Sequence, residues 1–442
     1  MTDRNLPVDP DRDARIRETT RRHVFTSWSA QAGLDPLPLA GGSGSHFWDH
    51  LGNTYLDFTS QLVNVNIGYQ HPRLVTAIQE AAADLTTVSP ALAHESRAEA
   101  ARMVAELAPE GMSKVFFTNA GAEAVENAIR MARLHTGRHK ILAAYRSYHG
   151  ATHGAISLTG EARRWGSEPG IPGVVHFWGP YLYRSAFYAE TEEQECERAL
   201  EHLRQTVLAE GPQHVAAIIL EPVVGSNGIL VPPDGYLQGV RELCDEHGIL
   251  FIADEVMAGF GRTGRWFAFE NWGITPDLIT FAKGVNSGYV PLGGVIMSDA
   301  VAATFDDRPY PGGLTYSGHP LACASAVAAL TIMQEEGIVE NARRIGEDVL
   351  GPGLRELVDR HGVVGEVRGL GVFWAVELVE DKESREPLAA AKVAAIAKAC
   401  RERGMWPLTV ANRIHMVPPC VITEDEAREG VAALDAALKE VG

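Results

Sequence analysis

The feature of this sequence that most constrains its fold is a set of short apolar runs, each of which stops at polar residues. Four of them are HVAAIILEPVVG (214–225), GILFIADEVMAGFG (248–261), DLITFAKG (277–284) and LGGVIMSD (292–299). Strands that are apolar without alternation are buried on both faces of a sheet. Amphipathic stretches such as HPRLVTAIQEAAADL (71–85) and EAVENAIRMARLHTG (123–137) are typical of helices. The alternation predicts an α/β fold whose mostly parallel sheet is sandwiched between helices.

The two ends of the chain have a different character and predict a second, smaller α+β domain. SHFWDHLGNTYLDF (45–58) is typical of a β-hairpin, with a Gly-Asn turn between aromatic strands. Near the other end, VVGEVRGLGVFWAVELV (363–379) and NRIHMVPPCVIT (412–423) each resemble a strand, and AAAKVAAIAKACRERG (389–404) resembles a helix. We therefore expect an N-terminal segment 1–70, a large domain 71–325 and a C-terminal small domain 326–442, with the first segment completing the small domain.

Charge and cysteine content exclude some classes of protein. Acidic residues outnumber basic ones by 57 to 39, for a net charge of −18. Such a surface argues against nucleic acid or an anionic membrane as the main partner. The five scattered cysteines form no C-x-x-C pair, which favours reduced thiols over disulfides or a zinc site. The polar first residues lack a signal-peptide core and no apolar run approaches membrane-spanning length. We therefore expect a cytoplasmic protein with no membrane or metal.

Lys283 stands at the end of an apolar run and before a glycine-rich segment, which is a poor position for a solvated ammonium group. Only seven of the 39 basic residues are lysines, and Lys283 is the only lysine between Lys140 and Lys382. Where a positive charge is sufficient, this chain uses arginine. A lysine retained here indicates amine chemistry, because its amine can lose a proton and attack a carbonyl. From these residues alone, a surface lysine is an equally good interpretation.

Three other groups follow predicted strands and extend this hypothesis. Gly121 and Ala122 open a helix directly after a strand, where backbone N–H groups can bind phosphate. Tyr148 could stack on a flat heterocycle. Asp254 or Glu255 could point inward and pair with a cationic ring nitrogen. Together with an amine at Lys283, these groups match the four handles of pyridoxal 5′-phosphate (PLP).

Over nearly its whole length the chain resembles the class III PLP-dependent aminotransferases, in their ω-transaminase branch of the fold type I enzymes. The resemblance rests on FFTNAGAEAVENAIRMAR, YRSYHGAT, LEPVVGSNG, ADEVMAGFGRTGRWFAFE, PDLITFAKG and GLTYSGHPLACASA. It implies a seven-stranded, mostly parallel sheet in the large domain. It also implies a homodimer with shared active sites, or a tetramer built from such dimers.

The resemblance also implies a role for each matching residue. Lys283 would hold PLP as an internal aldimine, and Asp254 would pair with the pyridine N–H. The remaining cofactor contacts that it implies are Val256 and Tyr148 on the two ring faces, Gly121 and Ala122 at the phosphate, Glu221 beside the ring, and Thr315 reaching the phosphate of the neighbouring subunit.

Several positions depart from the family pattern and leave the substrate open. Ser226 stands where relatives that use ornithine or 4-aminobutyrate have a gating glutamate, and Trp406 stands where many relatives have a carboxylate-binding arginine. Arg413 is the nearest substitute for that arginine, although a surface arginine is an equally good interpretation. The other expected pocket residues are Val63, which would widen the pocket, and the possible pocket walls Trp28 and Trp165.

The resemblance implies a ping-pong transaminase that moves an amino group from an amine or ω-amino acid to an α-keto acid. Pyruvate is the expected acceptor, because no second carboxylate-binding arginine is evident. The alternatives are a specific taurine or β-alanine:pyruvate aminotransferase, an aminomutase or decarboxylase of the same family, and a catalytically silent PLP fold. A dinucleotide-binding oxidoreductase is disfavoured, because neither GGSGSH nor GFGRTG opens a helix after a strand as G-x-G-x-x-G does.

Overall fold

A computed structural model describes residues 8–442 and contains two seven-stranded sheets. In chain order the strands are β1 (Leu39–Ser43), β2 (His46–Asp49), β3 (Thr54–Phe58), β4 (Lys114–Thr118), β5 (Lys140–Ala144), β6 (Val174–Phe177), β7 (Val215–Leu220), β8 (Leu250–Asp254), β9 (Leu278–Phe281), β10 (Gly293–Met297), β11 (Val364–Leu370), β12 (Phe373–Leu378), β13 (Met405–Val410) and β14 (Arg413–Met416).

The helices cover both sheets and connect most of the strands. In chain order they are α1 (Pro10–His23), α2 (Ser60–Val63, a distorted turn), α3 (Pro72–Asp84), α4 (Glu95–Leu107), α5 (Gly121–Thr136), α6 (His153–Leu158), α7 (Glu192–Glu210), α8 (Tyr236–His247), α9 (Asp299–Ala303), α10 (Pro320–Glu335), α11 (Ile338–Ile345), α12 (Gly351–Arg360), α13 (Ala390–Glu402) and α14 (Glu424–Val441). Short 3-10 turns include Ala162–Ser167 and Lys283–Asn286, and a π-helical turn joins α11 to α12.

The first sheet confirms the predicted α/β architecture. Its order is β4-β10-β9-β8-β7-β5-β6, and only β10 runs antiparallel to its neighbours. Successive residues of β5 alternate between two apolar cores. Ile141 and Ala143 pack with the α5 side, and Leu142 belongs to the larger core on the opposite face. Both faces are therefore buried, which explains why these strands are apolar at every position.

The second sheet joins strands from both ends of the chain, in the order β1-β2-β3-β13-β14-β12-β11. The β2–β3 hairpin lies where the sequence predicts it. Residues 363–379, expected as one strand-like stretch, form the antiparallel pair β11–β12, because the chain reverses at Gly371 with φ 54°. Strand β13 was not predicted, because it contains Pro407 and proline is rare inside strands. It nevertheless pairs in parallel with β3.

The distribution of strands supports the predicted domain division, which stays a proposal. All strands of the second sheet lie within 1–70 or 326–442, and all strands of the first lie within 71–325. The opening residues 1–7 of the predicted N-terminal segment lie outside the described part of the chain.

In residues 8–442 no single helix is long and apolar enough to cross a membrane; the bent pair Pro320–Glu335 and Ile338–Arg360 passes that test only when combined. All five cysteines are unpaired.

Candidate active site

A cavity of about 610 Å³ lies beyond the carboxyl ends of the parallel strands. This is the edge at which open α/β sheets bind ligands. It brings together seven of the eight cofactor-binding residues that the sequence predicts. They are Gly121, Ala122, Tyr148, Glu221, Asp254, Val256 and Lys283.

Lys283 enters this cavity two residues after the end of β9. Its φ of 45° is uncommon for a residue other than glycine, and it marks the point where the chain turns out of the strand. Within residues 8–442 the structure records no hydrogen bond to the amine. Burial lowers the pKa of Lys283 to about 8, although the charges of Asp254 and Glu221 act in the opposite direction. A substantial fraction of this amine is therefore neutral near physiological pH.

Asp254 is the last residue of β8, and its side chain is almost completely buried in the cavity wall. The carboxylate is held by three groups: Oδ2 lies 2.6 Å from His149 Nδ1, and Oδ1 accepts from Thr280 Oγ1 and the Val256 backbone N–H, each at 3.1 Å. The neighbouring Glu255 instead points into the core, where it accepts a hydrogen bond from the Phe269 backbone N–H at 3.0 Å. The structure therefore settles which of the two acids faces the cavity.

His149 is a functional candidate that the sequence analysis missed. Burial lowers its pKa, but the hydrogen bond and charge of Asp254 outweigh this effect, so the pKa of His149 is raised. Its other ring nitrogen, Nε2, is buried and has no hydrogen-bond partner in the described part of the chain. The only sequence signal was its place beside Tyr148 at a strand end.

Glu221 follows β7 and fixes the backbone of the cavity wall. Its Oε1 accepts a hydrogen bond from the Tyr148 N–H and its Oε2 accepts one from the Gly225 N–H, both at 2.9 Å. Burial raises the pKa of Glu221 to about 7. The carboxyl group thereby connects the end of β7 to the loop that presents the Tyr148 ring.

The N-terminus of α5 forms a narrow cradle beside Val256. No side chain caps this 16-residue helix, so its first backbone N–H groups are available to an anion. A Cβ atom at Gly121 would approach Val256 Cγ1 to 2.6 Å, and one at Gly150 would approach the Ala122 Cβ to 2.6 Å. A side chain at either position would displace these neighbours, so glycine is what allows the backbone to pack this closely around the cradle.

The remaining predicted site residues do not line this cavity. Val63 is buried in the core, since the chain turns at φ 58° there and presents the adjacent Leu62 and Asn64 to the cavity instead. Thr315 is exposed on the loop before α10. The side chains of Trp28 and Trp165 are 64% and 68% exposed.

Arg413 also lies outside the lining, behind the loop that carries Ser226. Its Nη1 donates to the Asn227 carbonyl oxygen at 2.7 Å. Ser226 itself lines the cavity. To reach a ligand there, Arg413 would have to give up this contact.

Comparisons with known proteins agree with this geometry. Residues 30–438 match the family model described as aminotransferase class-III. The chain is 37% identical to the putrescine–pyruvate aminotransferase of Pseudomonas aeruginosa, with 88% of each chain covered. It is 34% identical to the taurine–pyruvate aminotransferase of Rhodobacter capsulatus, with 98% of each covered. The chain belongs to the class III aminotransferases.

A solved relative extends the assignment to the cofactor. The taurine:2-oxoglutarate aminotransferase of Bifidobacterium kashiwanohense, determined in complex with PLP and glutamate, is 40% identical. It superposes with a TM-score of 0.94 over 97% of this chain and 98% of its own. Class III aminotransferases use PLP, and so does this enzyme. The predicted family, fold type, enzyme class and cofactor are thus confirmed.

The residues of the cavity fit PLP. The open N-terminus of α5 suits its phosphate, the Lys283 amine suits its aldehyde, and the Asp254 carboxylate suits a protonated ring nitrogen. Val256 and Tyr148 supply walls of the cavity for a flat ring.

Proposed function

We propose that this aminotransferase moves the amino group of an amine or ω-amino acid to pyruvate in a ping-pong reaction. The observation that carries the choice of acceptor is that, within the described residues, no arginine is among those lining the cavity, so the site does not offer a pair of guanidinium groups for two carboxylates. A dicarboxylic keto acid would need two carboxylate partners, whereas pyruvate needs one. Two relatives are named as pyruvate aminotransferases, which supports the proposal, although a third is named for 2-oxoglutarate.

We propose that the residues predicted from sequence divide the chemistry between them. Bound PLP supplies an electron sink that makes the substrate Cα–H acidic. The Lys283 amine, with its pKa near 8, accepts the proton from the substrate Cα and returns a proton in the reverse half-reaction. Asp254 keeps a negative charge opposite the ring nitrogen, and His149 fixes the orientation of that carboxylate.

The other cavity residues position the cofactor and the substrate. Gly121 and Ala122 would donate backbone N–H groups to the phosphate, and Val256 and Tyr148 would hold the ring between them. Glu221 keeps Tyr148 in place through its backbone N–H. The sequence-based assignment of a substrate carboxylate to Arg413 stays a prediction, as do the contributions of Val63, Trp28 and Trp165 to the pocket.

We also propose that the enzyme is a cytoplasmic homodimer with shared active sites. The unpaired cysteines support the location. The exposed Thr315 and Tyr316 lie outside the cavity of their own chain, which agrees with a contact to the cofactor phosphate of a second copy.

The choice of acceptor is tested by the second half-reaction alone. The enzyme is first converted by a donor amine to its amino-loaded form and freed of excess amine. Pyruvate or 2-oxoglutarate is then added, and the return of the original visible spectrum is followed. We expect recovery with pyruvate to be at least ten-fold faster, in line with the loss of one charge-assisted contact. Faster recovery with 2-oxoglutarate would overturn the choice of acceptor.

A further inference from the structure

Arg163 is a cation beside the cavity that neither the sequence analysis nor the proposed mechanism uses. It lies on the 3-10 turn Ala162–Ser167. Its guanidinium carbon is 3.9 Å from the centre of the Tyr148 ring and 5.9 Å from the centre of the Trp28 ring. Because Tyr148 forms part of the cavity wall, this places the Arg163 guanidinium next to that wall, although Arg163 is not itself among the lining residues.

Only one of the three guanidinium nitrogens of Arg163 has a recorded partner in residues 8–442. Nε pairs with Glu161, and within residues 8–442 the structure records no hydrogen bond from Nη1 or Nη2. The side chain is 33% exposed, so these two donors face accessible space. A guanidinium whose Nε is occupied still presents its two Nη atoms as a fork that matches the two oxygens of a carboxylate or sulfonate.

Arg164, the next residue on the same turn, has hydrogen-bond and ion-pair partners within the protein. Arg164 pairs with Glu168 at 2.9 Å, donates to the Thr159 carbonyl oxygen at 3.0 Å and contacts His176. Arg413 is likewise engaged, by Asn227. Of these three arginines, Arg163 alone has its Nη donors unengaged and lies against the cavity wall. Its charge also reaches the catalytic amine, since it contributes to the lowered pKa of Lys283.

We propose that Arg163 binds the distal acid group, carboxylate or sulfonate, of an ω-amino acid donor whose amine lies at Lys283. The inference rests on the proposed transamination at Lys283 and specifies its substrate class. The donor extends from Lys283 past the Tyr148 ring to the Nη1–Nη2 fork. A diamine places a second ammonium against the Arg163 guanidinium and is disfavoured by like-charge repulsion.

The test compares the first half-reaction for donors with and without an acid group. Taurine and β-alanine are the acidic probes, and n-butylamine and putrescine are the probes without an acid. Each is mixed with the holoenzyme, and bleaching of the cofactor spectrum gives a limiting rate and an apparent dissociation constant. The variants are Arg163→Met and Arg163→Lys, with Arg164→Gln as the control on the same turn. Each variant is first checked for an unchanged cofactor spectrum, which shows that it has folded and loaded.

We expect Arg163→Met to weaken apparent binding of taurine and β-alanine by about ten-fold or more, the scale of a charge-assisted hydrogen-bonded pair, with little change in limiting rate. Binding of n-butylamine stays the same and that of putrescine improves. Arg163→Lys restores part of the loss, and Arg164→Gln leaves the ratio between donor classes unchanged.

Three results would overturn the inference. An equal loss of apparent binding for acidic and neutral donors in Arg163→Met would mean that Arg163 only supports the Tyr148 ring. No loss of binding for any donor would mean that no acid group binds at Arg163. A wild type that bleaches with n-butylamine but with neither acid would mean the same. If the wild type bleaches with none of the four donors, the proposed function itself fails.

Discussion

The cavity around Lys283 and the ion cluster around Glu377 both bury charged groups, but Glu377 is paired directly with opposite charges and Lys283 is not. The carboxylate of Glu377, on β12, accepts hydrogen bonds from Arg184 Nε at 2.9 Å, Arg368 Nη2 at 2.8 Å and the Tyr181 hydroxyl at 3.1 Å. Burial raises its pKa, but the arginines outweigh burial and lower the pKa of Glu377 to about 2. The Lys283 amine has no such partner within residues 8–442, and burial lowers its pKa to about 8.

This difference in charge pairing indicates that the charges around Glu377 stabilise the fold, whereas the groups around Lys283 can take part in proton transfer. Because its arginines lower the pKa of Glu377 to about 2, that carboxylate stays charged through the pH range of the cell and does not exchange protons there. The Lys283 amine, with a pKa of about 8, and the Glu221 carboxyl group, with a pKa of about 7, can gain or lose a proton near neutral pH. Variants in the cavity should therefore affect rates, and variants in the cluster should affect stability.

The largest effect is expected from Lys283→Ala. Because this amine moves the proton at the substrate Cα, its removal should slow the half-reaction with any active donor about 10⁴-fold. Single-turnover bleaching measures the rate. Lys140→Ala is the matched control, since Lys140 lies on β5 and pairs with Glu210 at 2.6 Å, outside the cavity. Comparable losses in both variants would contradict the assignment.

Asp254→Asn should come next, with a loss of about 10³-fold in the same rate, because the amide cannot place a negative charge opposite the ring nitrogen. Glu255→Gln is its control. Burial raises the pKa of Glu255 to about 8, so that side chain is largely neutral already and an amide replaces it closely. Full activity of the Asp254→Asn variant would show that the reaction does not need the Asp254 carboxylate.

Glu377→Gln should lower stability and spare the chemistry. The folded-state pKa lies below the ordinary value of 4.5, so the stabilisation is present above pH 4.5 and is lost as the pH falls toward about 2. The shift corresponds to about 3 kcal/mol of unfolding free energy near neutral pH. Urea unfolding of the wild type and the variant, at neutral and acidic pH, measures the difference. A difference that does not shrink in acid would exclude this ion pairing as its source.

The smallest effect is expected from His149→Asn. Asp254 loses one of its three partners but keeps Thr280 and the Val256 N–H, so its orientation is loosened rather than lost. We expect kcat to fall about ten-fold with little change in KM, since a positioning group affects the chemical step more than substrate binding. A rise in KM at constant kcat would instead indicate that His149 contacts the substrate.

The parts of the site that the sequence predicts share one physical origin. Parallel apolar strands end at the same edge of a sheet, so Tyr148, Asp254 and Lys283, each placed at or after the end of such a strand, are brought to one edge. Apolar runs do not reveal the order of strands that are distant in sequence, so the insertion of β10 between β4 and β9 was not predicted. His149 and Arg163 were missed because their importance comes from contacts, with Asp254 and the Tyr148 ring, that no spacing reveals.

The identity and pKa of the amine that holds the cofactor are central to the proposed chemistry. The apo-protein would be mixed with PLP at a series of pH values and fixed with borohydride, and the modified lysine would be identified by peptide mass spectrometry. We predict modification at Lys283, with an initial rate that rises with pH and levels off above about pH 8, as the amine becomes neutral. Modification centred on another lysine, or a Lys283 rate still rising steeply near its ordinary pKa of 10.5, would contradict the account.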